Sequence, residues 1–206
     1  MREITFFIFL SFISFNLFSQ TIKVENGISF SSMESSKIEV FLNRKIANYS
    51  FLAGIDYFEH KYYYISSEIG YIRKGGQEHI NFSPSTINGN IKNGWDYMHL
   101  NTSFRTKYPI NDSFCYLGVA PKLDILTSSP HFQDEIYSPY GYEMNKFCFG
   151  AKLELGIAQN INNFRIGINT SYILDIPNSG KNTLNPDNKL RNNTFLAMLS
   201  LGYKLH

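Results

Sequence analysis

Charged residues are scarce in this chain of 206 residues, and cysteine is almost absent. Asp, Glu, Lys and Arg make up 17% of the sequence, below the roughly 25% that is usual for soluble domains. The net charge of +2 provides no strongly basic surface, so no nucleic-acid partner is expected. Beyond the N-terminus, no apolar run reaches the roughly 18 residues of a transmembrane helix, which excludes a helical membrane protein.

Catalytic and metal-binding motifs are also missing. The sequence has no Gly-rich phosphate loop, Cys-x-x-Cys pair, His-x-x-x-His pair or Gly-x-Ser-x-Gly nucleophile elbow, so neither a cofactor nor a metal is expected. Two long connections contain the groups that an enzyme would place at an outer rim, namely His79, His131, Asp134 and Glu135. Their spacing fits no ligand set or triad, so we expect solvated loops and no enzyme.

The first 20 residues have the features of a secretory signal peptide. Arg2 supplies a positive charge, residues 4–18 are largely apolar, and Ser19 is a small residue suited to cleavage. A single membrane anchor is the alternative, but this stretch is shorter than the roughly 20 residues that a spanning helix needs. We expect residues 1–20 to be a signal peptide and residues 21–206 to form one exported domain.

The sequence does contain eight runs in which apolar residues recur with a period of two, as in β-strands. Short and long connections alternate strictly between these runs, as in transmembrane barrels with short periplasmic turns and longer outer loops. The predicted strands are residues 27–33, 47–58, 62–74, 95–108, 114–127, 147–158, 164–175 and 194–205. The short connections are 59–61, 109–113 and 159–163, and the long ones are 34–46, 75–94, 128–146 and 176–193.

The two faces of these predicted strands differ in chemistry. One face carries apolar side chains without any charge, among them Phe51, Leu123 and Ile168. Since a Lys or Arg at mid-membrane costs a barrel wall about 2–4 kcal/mol, this face is expected to meet outer-membrane lipid. The opposite face is expected to line the lumen with a structural polar network of Asp56, Glu68, Arg105, Lys107, Lys122, Asp124, Lys152, Glu154, Arg165, Asp175 and Lys204.

A soluble, exported lipocalin-like barrel would use the same strands with the apolar face turned inward. Glycine is disfavoured on an open strand surface. The narrow interior of an eight-stranded barrel, by contrast, needs small residues beside its few long charged side chains. The polar face contains Gly54, Gly70, Gly118 and Gly156, which favours a lumen and therefore a transmembrane barrel.

Aromatic residues concentrate at both ends of the apolar face, where girdles anchor barrels at the membrane surfaces. Cys115 and Cys148 fall at opposite ends and on opposite faces of their strands, so we expect two free thiols. The predicted periplasmic girdle is Tyr57, Tyr63, Tyr108, Phe164 and Tyr203, and the predicted outer girdle is Tyr49, Tyr71, Phe147, Tyr172 and Phe195.

Four segments combine hydrophobic alternation with Gly or Pro: residues 51–57 (FLAGIDY), 69–76 (IGYIRKGG), 116–121 (YLGVAP) and 199–205 (LSLGYKL). Together they resemble the PorT-like outer-membrane β-barrel family of Bacteroidota, over most of the exported chain. The chain departs from that family at His99 and Asn101, where Glu and Pro are usual, and in ending at His206 instead of an aromatic residue. The resemblance implies insertion by the barrel assembly machinery and, for some members, a link to secretion or gliding.

We therefore expect an all-β, eight-stranded, antiparallel up-and-down transmembrane barrel in a Gram-negative outer membrane, with both termini periplasmic. Binding residues concentrate on loops that a rigid scaffold presents. The expected function is a structural or interaction scaffold whose loops meet an envelope partner, including a role as accessory of a secretion or motility machine. Passage of small solutes and ligand carriage by a soluble barrel are the alternatives.

Overall fold

The computed structural model describes residues 20–36, 42–82, 87–128, 142–176, 178–182, 187 and 189–205. All but the last residue of the predicted signal peptide lie outside these ranges, so that prediction stays a prediction. Within the described ranges, no helix is both apolar enough and long enough to cross a bilayer.

The described residues form ten β-strands in one antiparallel sheet. The sheet closes on itself because β1 pairs with β10 from Thr21 opposite Lys204 to Ser35 opposite Leu190. Eight long strands form the wall in the order β1-β2-β3-β4-β5-β7-β8-β10, which confirms the predicted barrel, and two three-residue strands pair beyond it. The strands are β1 Thr21–Ser35, β2 Ile46–Tyr57, β3 Tyr63–Phe82, β4 Ile87–Ile110, β5 Ser113–Ser128, β6 Tyr142–Met144, β7 Phe147–Ile161, β8 Phe164–Asp175, β9 Gly180–Asn182 and β10 Lys189–Lys204.

Tight turns lie at the end of the barrel that also holds both ends of the wall, the predicted periplasmic end. Only Asn111 and Asp112 separate β4 from β5, and only Asn162 and Asn163 separate β7 from β8. Asn111 and Asn162 have φ angles of 54° and 53°, a left-handed conformation that asparagine tolerates better than most residues. The three short connections are thus confirmed.

Several predicted boundaries are wrong, and the last strand, for example, begins at Lys189, five residues before its predicted start. The first strand begins at Thr21, six residues before the predicted start, because Ile22 and Val24 continue the outward apolar alternation. The predicted long connection 75–94 is mostly a β-hairpin, since β3 runs to Phe82 and β4 starts at Ile87. Its Gly and Asn residues indicated a loop. The strands are nevertheless paired continuously from Gly75 opposite Gly94 to Phe82 opposite Ile87, because backbone hydrogen bonds need no side chain.

The apolar face points outward and the polar face points into the barrel. Leu117 is 62% exposed and Ile168 is 56% exposed, whereas Glu68 and Asp124 are buried inside. Such an exterior is stable only in lipid, and closed barrels are the β-structures that satisfy every backbone group there. The barrel therefore spans a membrane, and the soluble carrier alternative is wrong. Cys115 and Cys148 are free thiols, as predicted.

Candidate functional site

The centre of the lumen contains an ion cluster around Glu68. The carboxylate of Glu68 accepts hydrogen bonds from Lys23, from Arg105 at 2.5 Å and from Lys152 at 2.7 Å. Arg105 also donates through Nε to Glu154 at 2.6 Å, and Lys152 lies 2.6 Å from the same carboxylate. These five side chains, here called the Glu68 cluster, come from β1, β3, β4 and β7 and tie opposite walls together.

A second ion cluster lies nearer the outer end. Lys74 donates to Asp124 at 2.5 Å and to Asp175 at 2.9 Å. Lys122 donates to the same two carboxylates, and the Nδ1 of His99 lies 2.5 Å from Asp124. We call these five residues the Asp124 cluster. All are buried, so each charge depends on its partners for stabilisation.

The Asp124 cluster extends to the connection that follows β8. The hydroxyl of Ser179 donates to Asp175 at 2.6 Å and accepts the backbone N–H of Asn192 at 2.9 Å. Ser179 is buried although it lies outside the wall strands. The hydroxyl group of Ser179 therefore links the Asp124 cluster in the lumen to the connection that follows β8.

The third ion group lies at the periplasmic mouth. Arg165 donates two hydrogen bonds to Glu59, at 2.7 and 2.9 Å, and one to Asp56 at 3.1 Å. Lys107 adds a 2.9 Å bond to Glu59. Glu59 lies in the turn outside the membrane-spanning strands. Although burial opposes its ionisation, Arg165 and Lys107 hold the pKa of Glu59 below its ordinary value.

Ten of the eleven predicted lumen residues lie in these three groups, and Lys204 does not. Lys204 is half-buried at the last position of β10 and forms no ion pair with a described residue. It lies at the end of the strand, where its long side chain reaches water. The prediction that it belongs to the network is corrected accordingly.

Sequence reasoning missed four members of the polar interior. Lys23 and Glu25 face the lumen because β1 starts earlier than predicted, and Lys74 follows the inward register of Ser66 and Glu68. Extending the period of two by a few residues would have found all three. Glu59 follows no such rule because it lies in a turn.

Apolar and aromatic layers also fill the lumen, which the sequence did not indicate. Near the periplasmic mouth, the cations Arg105, Lys107 and Arg165 lie over aromatic rings at 5.0–5.3 Å. The periplasmic aromatic layer consists of Tyr64, Phe114, Tyr116 and Ala158. The outer apolar layer consists of Met33, Leu42, Trp95, Tyr97, Cys148 and Leu190.

One of the four predicted rim candidates, His79, lies within the described residues. His79 lies within β3 instead of a loop, and His131, Asp134 and Glu135 lie outside the described residues. Among the residues that the structure describes, no group of His, Cys, Asp and Glu is arranged to hold a metal ion.

Comparison with known proteins identifies the fold. No protein-family model and no curated protein sequence matches the chain. The outer membrane protein OprG from Pseudomonas aeruginosa is similar over 92% of this chain and 97% of its own, with 12% identity and a TM-score of 0.58. Neisserial surface protein A is similar over 90% of this chain and 97% of its own, with 13% identity and a TM-score of 0.56. The chain has the fold of an outer-membrane β-barrel protein.

Location follows from this fold together with the apolar exterior. The aromatic side chains Tyr49, Tyr108 and Phe164 project outward at the two ends of that exterior, as membrane girdles do. Barrels of this architecture span the bacterial outer membrane. The chain is an outer-membrane β-barrel.

Proposed function

We propose that this barrel is a non-enzymatic scaffold that presents its outer hairpins to a partner protein of the cell envelope. The observation that carries the proposal is the β3–β4 hairpin. Its strands stay paired from Arg73 opposite Asp96 to Phe82 opposite Ile87, beyond the outer girdle residue Tyr71. That is roughly 30 Å of paired strand, at about 3.3 Å per residue.

Support for a binding role over solute passage comes from the filled lumen. The ion groups and three buried apolar clusters of described residues occupy the interior. An eight-stranded barrel has an interior that side chains just fill. A scaffold needs such a rigid interior, whereas a channel needs an open path.

The resemblance to PorT-like barrels, seen in residues 51–57 and 69–76, supports the finer proposal. Some members of that family are linked to envelope secretion or gliding, which supports the proposal of an accessory role in such a machine. Two further short strands, β6 and β9, pair with each other beyond the wall and broaden the outer surface.

Crosslinking in intact envelopes tests this proposal. A variant lacking residues 79–90, with Glu78 and Ile91 joined through an Asn-Gly turn, retains the paired base of the hairpin. We expect the intact barrel to crosslink to a defined envelope protein and the shortened barrel to lose that product. Circular dichroism of both purified barrels shows whether the wall still folds.

A planar-bilayer recording tests the alternative. The scaffold proposal expects no current through the purified barrel. Steady conductance, or a crosslinked product that the shortened hairpin retains, would overturn the proposal in favour of solute passage or of another contact surface.

A further inference from the structure

A polar pocket of about 500 Å³ opens on the outer half of the barrel, where β2 and β3 separate. Pairing between these strands ends at Ser50 opposite Ile72 and resumes only at the isolated bridge between Arg44 and Gln77. The pocket is lined by Lys45, Ile46, Ala47, Asn48, Arg73, Gln77, Lys92, Asn93 and Gly94.

Hydroxyl groups from β1 stabilise this gap in the wall. Ser29 donates to the carbonyl oxygen of Arg73 at 2.9 Å, and Ser31 accepts the backbone N–H of Gly75 at the same distance. These bonds satisfy backbone groups of β3 that β2 leaves unpaired. The gap between β2 and β3 is therefore a stable part of the fold, because these polar backbone atoms have hydrogen-bond partners.

The lining of the pocket is strongly cationic. Lys45, Arg73 and Lys92 all line it, and none of its described lining residues carries a carboxylate. Neither lysine forms an ion pair with any residue that the structure describes, and Arg73 lies 3.6 Å from Asp96, beside the pocket. Gly94 gives Arg73 room, because a Cβ at that position would come within 2.7 Å of the arginine Nε.

Hydrogen-bond donors in the lining add to this charge. The side-chain nitrogens of Asn48 and Asn93 are buried and have no hydrogen-bond partner among the described residues. An unsatisfied buried amide costs about 1–3 kcal/mol, so two of them at one pocket indicate that something which accepts hydrogen bonds belongs there. Cations and N–H donors together fit a phosphate group.

The height of the pocket on the barrel indicates where that phosphate comes from. Arg73 lies two residues beyond Tyr71, and Lys45 lies four residues before Tyr49. Both tyrosines belong to the outer girdle, which marks the headgroup boundary. Arg73 therefore lies at the level of lipid phosphates, and Lys45 and Lys92 lie a few residues farther out on the outer half of the barrel.

We propose that this pocket binds a phosphate group of an outer-leaflet lipid headgroup. The occupant is a phosphorylated lipid, because the site opens sideways at headgroup level instead of upward into bulk water. Binding there would anchor the barrel in one leaflet and fix the base of the β3–β4 hairpin.

Calorimetric titration of the folded barrel in uncharged maltoside micelles tests this site. The probes are diphosphoryl lipid A, its phosphate-free counterpart and inorganic phosphate. Each basic residue near a lipid surface contributes about fivefold in affinity, so the triple variant Lys45→Gln, Arg73→Gln, Lys92→Gln should bind diphosphoryl lipid A about 100-fold more weakly. The single variant Lys92→Gln should lose about fivefold.

Lys146→Gln is the matched control, since Lys146 is an exposed outer lysine that does not line the pocket. It should bind diphosphoryl lipid A as the unchanged barrel does, and the phosphate-free lipid should bind neither protein well. Equal losses in Lys146→Gln and Lys92→Gln would overturn the proposal, because they would indicate diffuse surface charge. Binding of inorganic phosphate without binding of lipid A would overturn the lipid as the source.

Discussion

The two ion clusters of the lumen use similar chemistry for different tasks. The Glu68 cluster joins β1, β3, β4 and β7, so it holds wall to wall. The Asp124 cluster joins β3, β4, β5 and β8 and continues through Ser179 to Asn192. It therefore also links the wall strands to the connection between β8 and β10. A filled lumen therefore sets both the stability of the barrel and the order of the connections that the barrel presents.

The two clusters differ in that only the Glu68 cluster contains an arginine, Arg105. Arg105 contacts Glu154 through two nitrogens and Glu68 through one of them, because a guanidinium presents several donors in a plane. Lys23 and Lys152 complete the Glu68 cluster, whereas the Asp124 cluster contains no arginine and pairs Lys74 and Lys122 with its carboxylates.

The largest effect is expected from removing the hub of the first cluster. Glu68→Leu leaves Lys23, Arg105 and Lys152 short of a carboxylate in the interior, and breaking such a buried pair costs about 3–5 kcal/mol. Urea unfolding in detergent, followed by circular dichroism, measures the loss.

The matched control for that substitution is Ser67→Leu. It places the same side chain one position earlier on β3, on the lipid face, where Ser67 bonds only to the hydroxyls of Tyr57 and Thr102. We expect a loss below about 1 kcal/mol there. Similar losses at positions 67 and 68 would contradict the assignment of position 67 to the lipid face and of position 68 to the lumen.

The next largest effect separates the two clusters. Asp124→Asn removes the charge that Lys74, Lys122 and His99 share, at a cost of about 3 kcal/mol. Trp95, the single tryptophan, is 1% exposed in the outer apolar layer and pairs across the ladder with Lys74. Its emission should shift to the red in Asp124→Asn.

Glu68→Gln provides the comparison for that measurement. It should lower stability while leaving the native emission of Trp95 unchanged, because its cluster does not reach the outer layer. Equal spectral changes in the two variants would show that the clusters act as one unit and would remove the distinction between them.

Most of the wall could be predicted from the sequence, because lipid and lumen demand opposite side chains at alternate positions. Phe164, Ile166 and Ile168 face outward, while Arg165 faces inward. The same rule placed ten of the eleven predicted network residues inside. It failed at two strand ends: Lys204 forms no ion pair with a described residue, and Lys23 lies in the part of β1 that precedes the predicted start.

The rest depended on information that a period of two does not contain. Tyr64, Trp95 and Tyr97 fill the lumen although the predicted inward set includes none of them, because the space left by Gly residues across the barrel has to be filled. The gap between β2 and β3 depends on a change of register between Ser50 and Arg44, and register is a property of the paired strands.

A smaller effect tests the link between lumen and surface. Ser179→Ala removes the hydroxyl that bridges Asp175 and the N–H of Asn192, at a cost of about 1 kcal/mol. Limited proteolysis of the folded barrel should cut faster in the connection between β8 and β10, and unfolding by circular dichroism should change little. Unchanged cleavage would mean that the backbone hydrogen bond from the N–H of residue 179 to the carbonyl of Leu190 holds the connection without the hydroxyl.

The smallest expected effect concerns Glu59, and it compares the ion group at the periplasmic mouth with the two buried clusters. The pKa of Glu59 is lowered below 4.5, because Arg165 and Lys107 outweigh the cost of its burial. A lowered pKa means that its pairing stabilises the folded state fully above about pH 4.5 and that this contribution disappears as the pH falls through the lowered value. Glu59→Gln should therefore cost about 1 kcal/mol at neutral pH and less as the solution becomes more acidic than pH 4.5.

Urea midpoints of both barrels between pH 7 and pH 3 measure that difference, with Asp112→Asn as the control at the same end of the barrel. Asp112 is an exposed acid in the β4–β5 turn, and no ion pair joins it to a described residue, so its substitution should change the midpoint little at any pH. A gap between Glu59→Gln and the unchanged barrel that stays constant down to pH 3 would mean that Glu59 acts through packing. In that case packing would stabilise the periplasmic mouth, as it stabilises the periplasmic aromatic layer. Stabilisation by ion pairs would then be confined to the two clusters farther inside.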